Sequence, residues 1–115
     1  MNKNIKKIKK NIIENQLQEN ENRNEIINSI KNIILKYEKY IKEAYIFGSY
    51  ARGYFNKYSD IDIAIYCEDY DIYFNICEEI ENINTIRKID IHNLTYCHFY
   101  FDMNEVKNKN AIKLY

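Results

Sequence analysis

The sequence predicts a small α/β domain (α+β in how its elements segregate), a mixed β-sheet with helices packed on one face. Three observations predict it. Apolar residues recur at helical spacing before residue 40 and again over 70–83. Short apolar and alternating runs at 44–47, 61–66 and 86–94 have strand spacing. The 115 residues contain no repeat and no linker long enough to divide them, so they form one domain.

The elements follow in order. Asn4 to about Gln18 carries Ile5, Ile8, Ile12, Ile13 and Leu17 as one apolar stripe, with Lys3, Lys6, Lys7 and Lys10 on the other side. Residues 1–20 thus form an extra N-terminal helix. Its basic side is either a solvated face or a contact for an acidic partner or membrane. After the polar stretch 19–24, a second helix uses Ile26, Ile27, Ile30, Ile33, Ile34 and Tyr37. Its wider stripe makes it the better packed of the two.

Ala44-Tyr45-Ile46-Phe47 is a first strand ending at Gly48, and Ser49 to Tyr54 a short helix or turn. In a second strand over 61–66, Ile61, Ile63 and Ile65 face one way; Asp60, Asp62, Ala64 and Tyr66 face the other. Tyr70 to Ile83 suits a helix burying Ile72, Tyr73, Ile76, Cys77 and Ile80. Ile86 to Leu94 reads as a third strand, and Met103 to Lys109 as a short helix. The tail Ala111 to Tyr115 is a last short strand or a docking tail.

Composition narrows the function. Seventeen basic and seventeen acidic residues balance to a net charge of zero, without the basic excess that marks direct nucleic-acid binding. The cysteines Cys67, Cys77 and Cys97 have no CxxC spacing and are odd in number, which reads as reduced thiols in a cytoplasmic protein. No signal peptide and no membrane span is expected. A domain of this size has no room for a substrate domain as well; if the chemistry needs a second wall for its pocket, another chain must supply it.

The chemistry concentrates in Gly48-Ser49-Tyr50-Ala51-Arg52-Gly53 and Ser59-Asp60-Ile61-Asp62-Ile63. Gly48 permits a tight turn and close approach of a ligand, and Ser49 offers a hydroxyl and an N–H to a phosphate. Alone, Gly-Ser is a common structural turn. Asp60 and Asp62, one strand period apart, leave the same face. At about 4 Å they would repel by about 4 kcal/mol at an effective dielectric of about 20, which a divalent cation relieves. Alone, Asp-x-Asp is an exposed strand edge. Asp90, between Ile89 and Ile91, is costly to bury without a partner and would complete a two-metal site beside the other acids. Otherwise it is an Asp hydrogen-bonded at a strand end. Arg52 could reach a phosphate or pair with an acid. His92, two residues after Asp90, tunes the site or is structural, and His98 beside Cys97 gives no zinc site.

Gly48-Ser49, ten intervening residues and Asp60-Ile61-Asp62, with Asp90 on a later strand, resemble the signature of the DNA polymerase β-like nucleotidyltransferase superfamily. The chain looks like one of its smallest members, the minimal nucleotidyltransferases (MNT proteins), over about Tyr45 to Leu94. The resemblance implies the polymerase β-like nucleotidyltransferase fold, two Mg²⁺ ions, and ATP as donor. It implies Asp60, Asp62 and Asp90 as catalytic metal ligands, with Asp90 on the acceptor side. Gly48, Ser49, Arg52 and Ser59 would contact the nucleotide. It further implies a helical HEPN or substrate-binding partner encoded by an adjacent gene. In the antitoxin version, AMP goes to a tyrosine of a HEPN toxin. A small-molecule acceptor, as in aminoglycoside-modifying relatives, and neutralisation by binding alone stay open.

Overall fold

The computed structural model describes residues 22–53, 55–56, 58–97 and 111–115. The expected helices over 4–18 and near Met103 to Lys109 lie outside these residues. Helix α1 spans residues 22–36 and leads through a 3₁₀ turn, Glu38–Tyr40, into strand β1, Ile41–Phe47. Then come α2 (Gly48–Arg52), β2 (Ile61–Cys67), α3 (Tyr70–Glu81), β3 (Ile89–Asn93), α4 (Leu94–Cys97) and β4 (Ile112–Lys113).

Helix α1 forms where isoleucine recurs every four residues. Ile26, Ile30 and Ile34 are buried along one stripe, with Ile27, Ile33 and Tyr37 flanking it. Each fully buried isoleucine contributes roughly 1.5–3 kcal/mol. Opposite them stand Ile61, Ile63 and Ile65 of β2 and Ala44 and Ile46 of β1, all buried. Helix α3 starts at Asp69, whose carboxylate accepts the Ile72 N–H at 3.1 Å, and buries Ile76 and Ile80 in the same core.

The sheet has four strands in the order β3-β2-β1-β4. Strands β1 and β2 run antiparallel, pairing Phe47 with Asp62 and Ile46 with Ile63. Strands β2 and β3 run parallel, joined by α3 as a βαβ crossover, and pair Asp62 with Asp90 and Ala64 with His92. The expected last strand is β4, antiparallel to β1. Backbone bonds around Ala44 fasten it: Leu114 N–H to Ala44 C=O at 2.8 Å and Ala44 N–H to Tyr115 C=O at 3.0 Å.

The third strand is shorter than Ile86 to Leu94. Residues 83–87 are held in turns by Thr85 N–H on Ile83 C=O and Arg87 N–H on Thr85 Oγ1. Ile86 is 98% exposed there. The ladder begins at Lys88, whose C=O accepts from Ile61 N–H at 2.9 Å. At the other end Leu94 opens α4. The buried Asn93 marks this transition: its Nδ2 donates to Cys67 C=O at 2.8 Å, and its Oδ1 accepts from Cys67 N–H (3.4 Å) and Thr95 N–H (3.2 Å). A side-chain amide thus replaces a peptide where the ladder stops. Asn93→Ala leaves both Cys67 backbone groups without these bonds. An expected cost of about 1–3 kcal/mol would appear as a lower urea midpoint with an unchanged m-value.

Candidate active site

The site face is built by the residues that alternate with the isoleucines. Asp62 is half-buried on β2, directly beside Asp90 of β3, which is also half-buried. Asp60 stands one residue before β2. His92, also half-buried, meets the ring of Phe47 at 5.9 Å between centroids. The register therefore sets two of the three expected acids side by side. Lys88 Nζ lies 3.4 Å from Asp90 Oδ1. As the side chains lie, no three Asp, Glu, His or Cys groups among the described residues converge closely enough to hold an ion.

Gly48 comes close to Asp62. Its φ is +78°, and a Cβ there would sit 2.6 Å from Asp62 Oδ2. The glycine supplies both the left-handed turn out of β1 and the space the carboxylate occupies. Ser49 follows, half-buried, in the first turn of α2. Arg52 is exposed at the far end of that short helix from Gly48.

The electrostatic cost falls on Asp62. The Asp62 carboxyl is held above the ordinary carboxylate range, first by burial, then by the Asp90 carboxylate, with a smaller push from Asp60. His92 and Lys88 pull the other way. Because the folded value lies above the unfolded one, the native state binds more protons between the two. Stability is fully present below the ordinary value and falls as pH rises through the raised one. Asp62→Asn removes this cost. In chelator, the variant is expected to melt a few degrees higher than wild type at pH 7, roughly 1–4 °C. The gap should close as pH falls toward the ordinary carboxylate range; calorimetry at several pH values checks it.

The donor set suits a hard divalent cation. Carboxylate oxygens that repel one another are the ligands Mg²⁺ takes, and such an ion would offset the charge that raises Asp62.

The segment between α2 and β2 delivers Asp60, and two arginines hold it. Gly53, φ +81°, caps α2. Arg23 of α1 donates from Nη2 to Tyr50 C=O (3.2 Å) and Ala51 C=O (3.1 Å), satisfying carbonyls at the end of that helix. Tyr50 is buried against Phe55, centroids 4.9 Å apart. The Arg23 and Arg87 guanidiniums both lie over this ring pair, at 5.6 and 5.8 Å and at 5.2 and 4.8 Å. Arg87 Nη1 also donates to Asn56 C=O and to Ser59 C=O (3.0 Å). Ser59 closes a turn: its N–H donates to Asn56 C=O, and its Oγ accepts from Asn56 N–H, both at 3.1 Å. The hydroxyl proton remains available to a ligand. A cavity of about 380 Å³ lies beside Tyr50, Thr85 and Arg87, and none of the three acids lines it.

Sequence reasoning gave Tyr50 no role and passed over Arg23, Arg87 and Lys88. One signal was present for Arg87: a guanidinium at the start of an apparently apolar strand needs acceptors from elsewhere in the chain.

Residues 28–113 match the family described as polymerase beta, nucleotidyltransferase. A protein of Methanocaldococcus jannaschii, named as an inferred protein adenylyltransferase, is 40% identical over 74 residues, covering 56% of this chain and 85% of that one. A second protein so named, from the same organism, is 40% identical over 57 residues. That match covers 49% of this chain and 54% of the relative, so the chain spans about half its length. A crystal structure described as a toxin–antitoxin with AMP-PNP has a similar fold, with a TM-score of 0.58 at 20% identity over 77% of this chain and 72% of that one.

Proposed function

The chain belongs to the polymerase β nucleotidyltransferase family, and on that premise we propose that it moves AMP from ATP to a tyrosine hydroxyl on a helical, HEPN-type partner. It is a nucleotidyltransferase; the donor, acceptor and antitoxin role are the reading offered here. One observation carries it: the parallel register that places Asp62 beside Asp90, with Asp60 entering the same strand and Gly48 open against Asp62. The protein acceptor is supported by the M. jannaschii relatives, which are named for protein adenylyl transfer. The partner's place is supported by a similar fold found in a toxin–antitoxin with a nucleotide analogue.

In this reading Gly48 and Ser49 lie at the triphosphate, with Ser59 and Arg52 as further contacts. Asp60, Asp62 and Asp90 would hold two Mg²⁺ ions, which supply charge neutralisation for the leaving pyrophosphate. The acceptor oxygen attacks the α-phosphorus. An O–P bond forms, the bond to the β-phosphate oxygen breaks, and pyrophosphate departs. Asp90, on the acceptor side, would help activate the hydroxyl, either by taking its proton or by holding a second metal ion. In this reading the partner supplies a wall of the acceptor pocket.

Co-expression tests it. Cells expressing the partner should grow with the wild-type chain and stop growing with the Asp60→Asn, Asp62→Asn double variant. Full rescue by the double variant would replace transfer with neutralisation by binding.

A further inference from the structure

We propose that Arg87 is a positioning residue for the acidic site: it fixes the segment that places Asp60 beside Asp62. The proposal rests on the reading above that these two acids hold the divalent cation.

Asp60 is bracketed by two anchors, and both come from one dipeptide. On its N-terminal side, Ser59 C=O accepts from Arg87 Nη1 at 3.0 Å. On its C-terminal side, Ile61 N–H donates to Lys88 C=O at 2.9 Å. The same dipeptide leads directly into β3 and Asp90. A displacement of residues 87–88 would therefore move Asp60 relative to both other acids. The Arg87 guanidinium also donates to Asn56 C=O, and so grips both ends of the Asn56–Ser59 turn. Its plane rests over the rings of Tyr50 and Phe55, which Arg23 covers as well. Tyr50 lies two residues after Gly48, the residue against which Asp62 rests. One side chain thus links the Gly48 turn, the Asp60 segment and the Asp90 strand.

These contacts explain why the residue is arginine. One nitrogen, Nη1, serves both carbonyls, and the delocalised guanidinium lies over both rings. Lysine offers a point charge without the stacking plane. Through Nη1 on these two carbonyls, Arg87 acts on the loop that leads into Asp60.

The test measures Mn²⁺ binding by the signal of the free ion in electron paramagnetic resonance. It compares wild type, Arg87→Ala, Arg87→Lys, Asp60→Asn and Ile34→Val, the last a core change on α1 that lowers stability without touching the loop. Thermal unfolding sets a temperature at which every variant is folded. Arg87→Ala is expected to weaken Mn²⁺ binding by about 10- to 100-fold, the range for losing a partner that orients a metal ligand, here through the peptide of Ser59 next to Asp60. Arg87→Lys should recover part of that loss, and it keeps the test open if Arg87→Ala does not fold. Ile34→Val should bind as wild type does. Wild-type affinity in both Arg87 variants, or an equal loss in Ile34→Val, overturns the positioning role. A wild-type chain that binds no Mn²⁺, or binding untouched by Asp60→Asn, overturns the cation reading itself, and the proposal with it.

Discussion

Asp60→Asn combined with Asp62→Asn is expected to abolish transfer, lowering the rate by about 10³-fold or more, which is about 4 kcal/mol of transition-state stabilisation. Pyrophosphate departure concentrates negative charge, and the neutral amides have no counterpart to carboxylates that hold cations against it. The same change should leave the apo fold intact or steadier. Asp62 is already pushed toward its protonated form by burial and by Asp90 and Asp60, so the amide removes repulsion and not a supporting contact. Lost activity with an undiminished melting temperature separates this account from simple unfolding. A double variant that still transferred AMP at a wild-type rate would remove these acids from the chemistry.

The second large effect is at Gly48. Gly48→Ala is expected to reduce activity by about 10²-fold while costing only about 1–2 kcal/mol of stability. The stability cost is the left-handed backbone, φ +78°, which an L side chain adopts reluctantly. The activity cost comes from the new Cβ, 2.6 Å from Asp62 Oδ2. A carboxylate at the end of a side chain can swing away cheaply, and when it does a proposed metal ligand is lost. Gly53→Ala is the internal control. Its φ is +81°, nearly the same strain, but a Cβ there meets nothing within 4 Å. It should lose similar stability and keep activity within a few-fold. Equal activity losses in the two variants would mean that strain, and not the Asp62 contact, governs the Gly48 result. Kinetics and urea unfolding on both variants decide it.

The parts of this site that are local in the chain were legible in the sequence. Strand alternation alone puts Asp60 and Asp62 on the face opposite Ile61, Ile63 and Ile65, and the three isoleucines are buried. Asp90 between Ile89 and Ile91 likewise announced a strand carboxylate; the βαβ connection makes its strand parallel to β2, and the pairing of Asp90 with Asp62 is a register only the structure gives. The pattern failed where long-range contacts decide. The third strand was expected from Ile86, because isoleucines at 86, 89 and 91 look continuous. Arg87, however, reaches back 28 and 31 residues to Ser59 and Asn56, and the chain turns there instead of extending. Asn93 ends the strand through bonds to Cys67, 26 residues away. Tyr50 is a core residue because Phe55, Arg23 and Arg87 close over it. No local periodicity records such partners.

The proposed reaction is AMP transfer to a partner protein. The most direct measurement incubates the purified chain with Mg²⁺, α-labelled ATP and the product of the adjacent gene, then takes the intact mass of both proteins. The account predicts one or more AMP units on a tyrosine of the partner, with none when Asp60→Asn replaces the wild-type chain. An unmodified partner, in a tight complex with a chain that binds ATP, would contradict it.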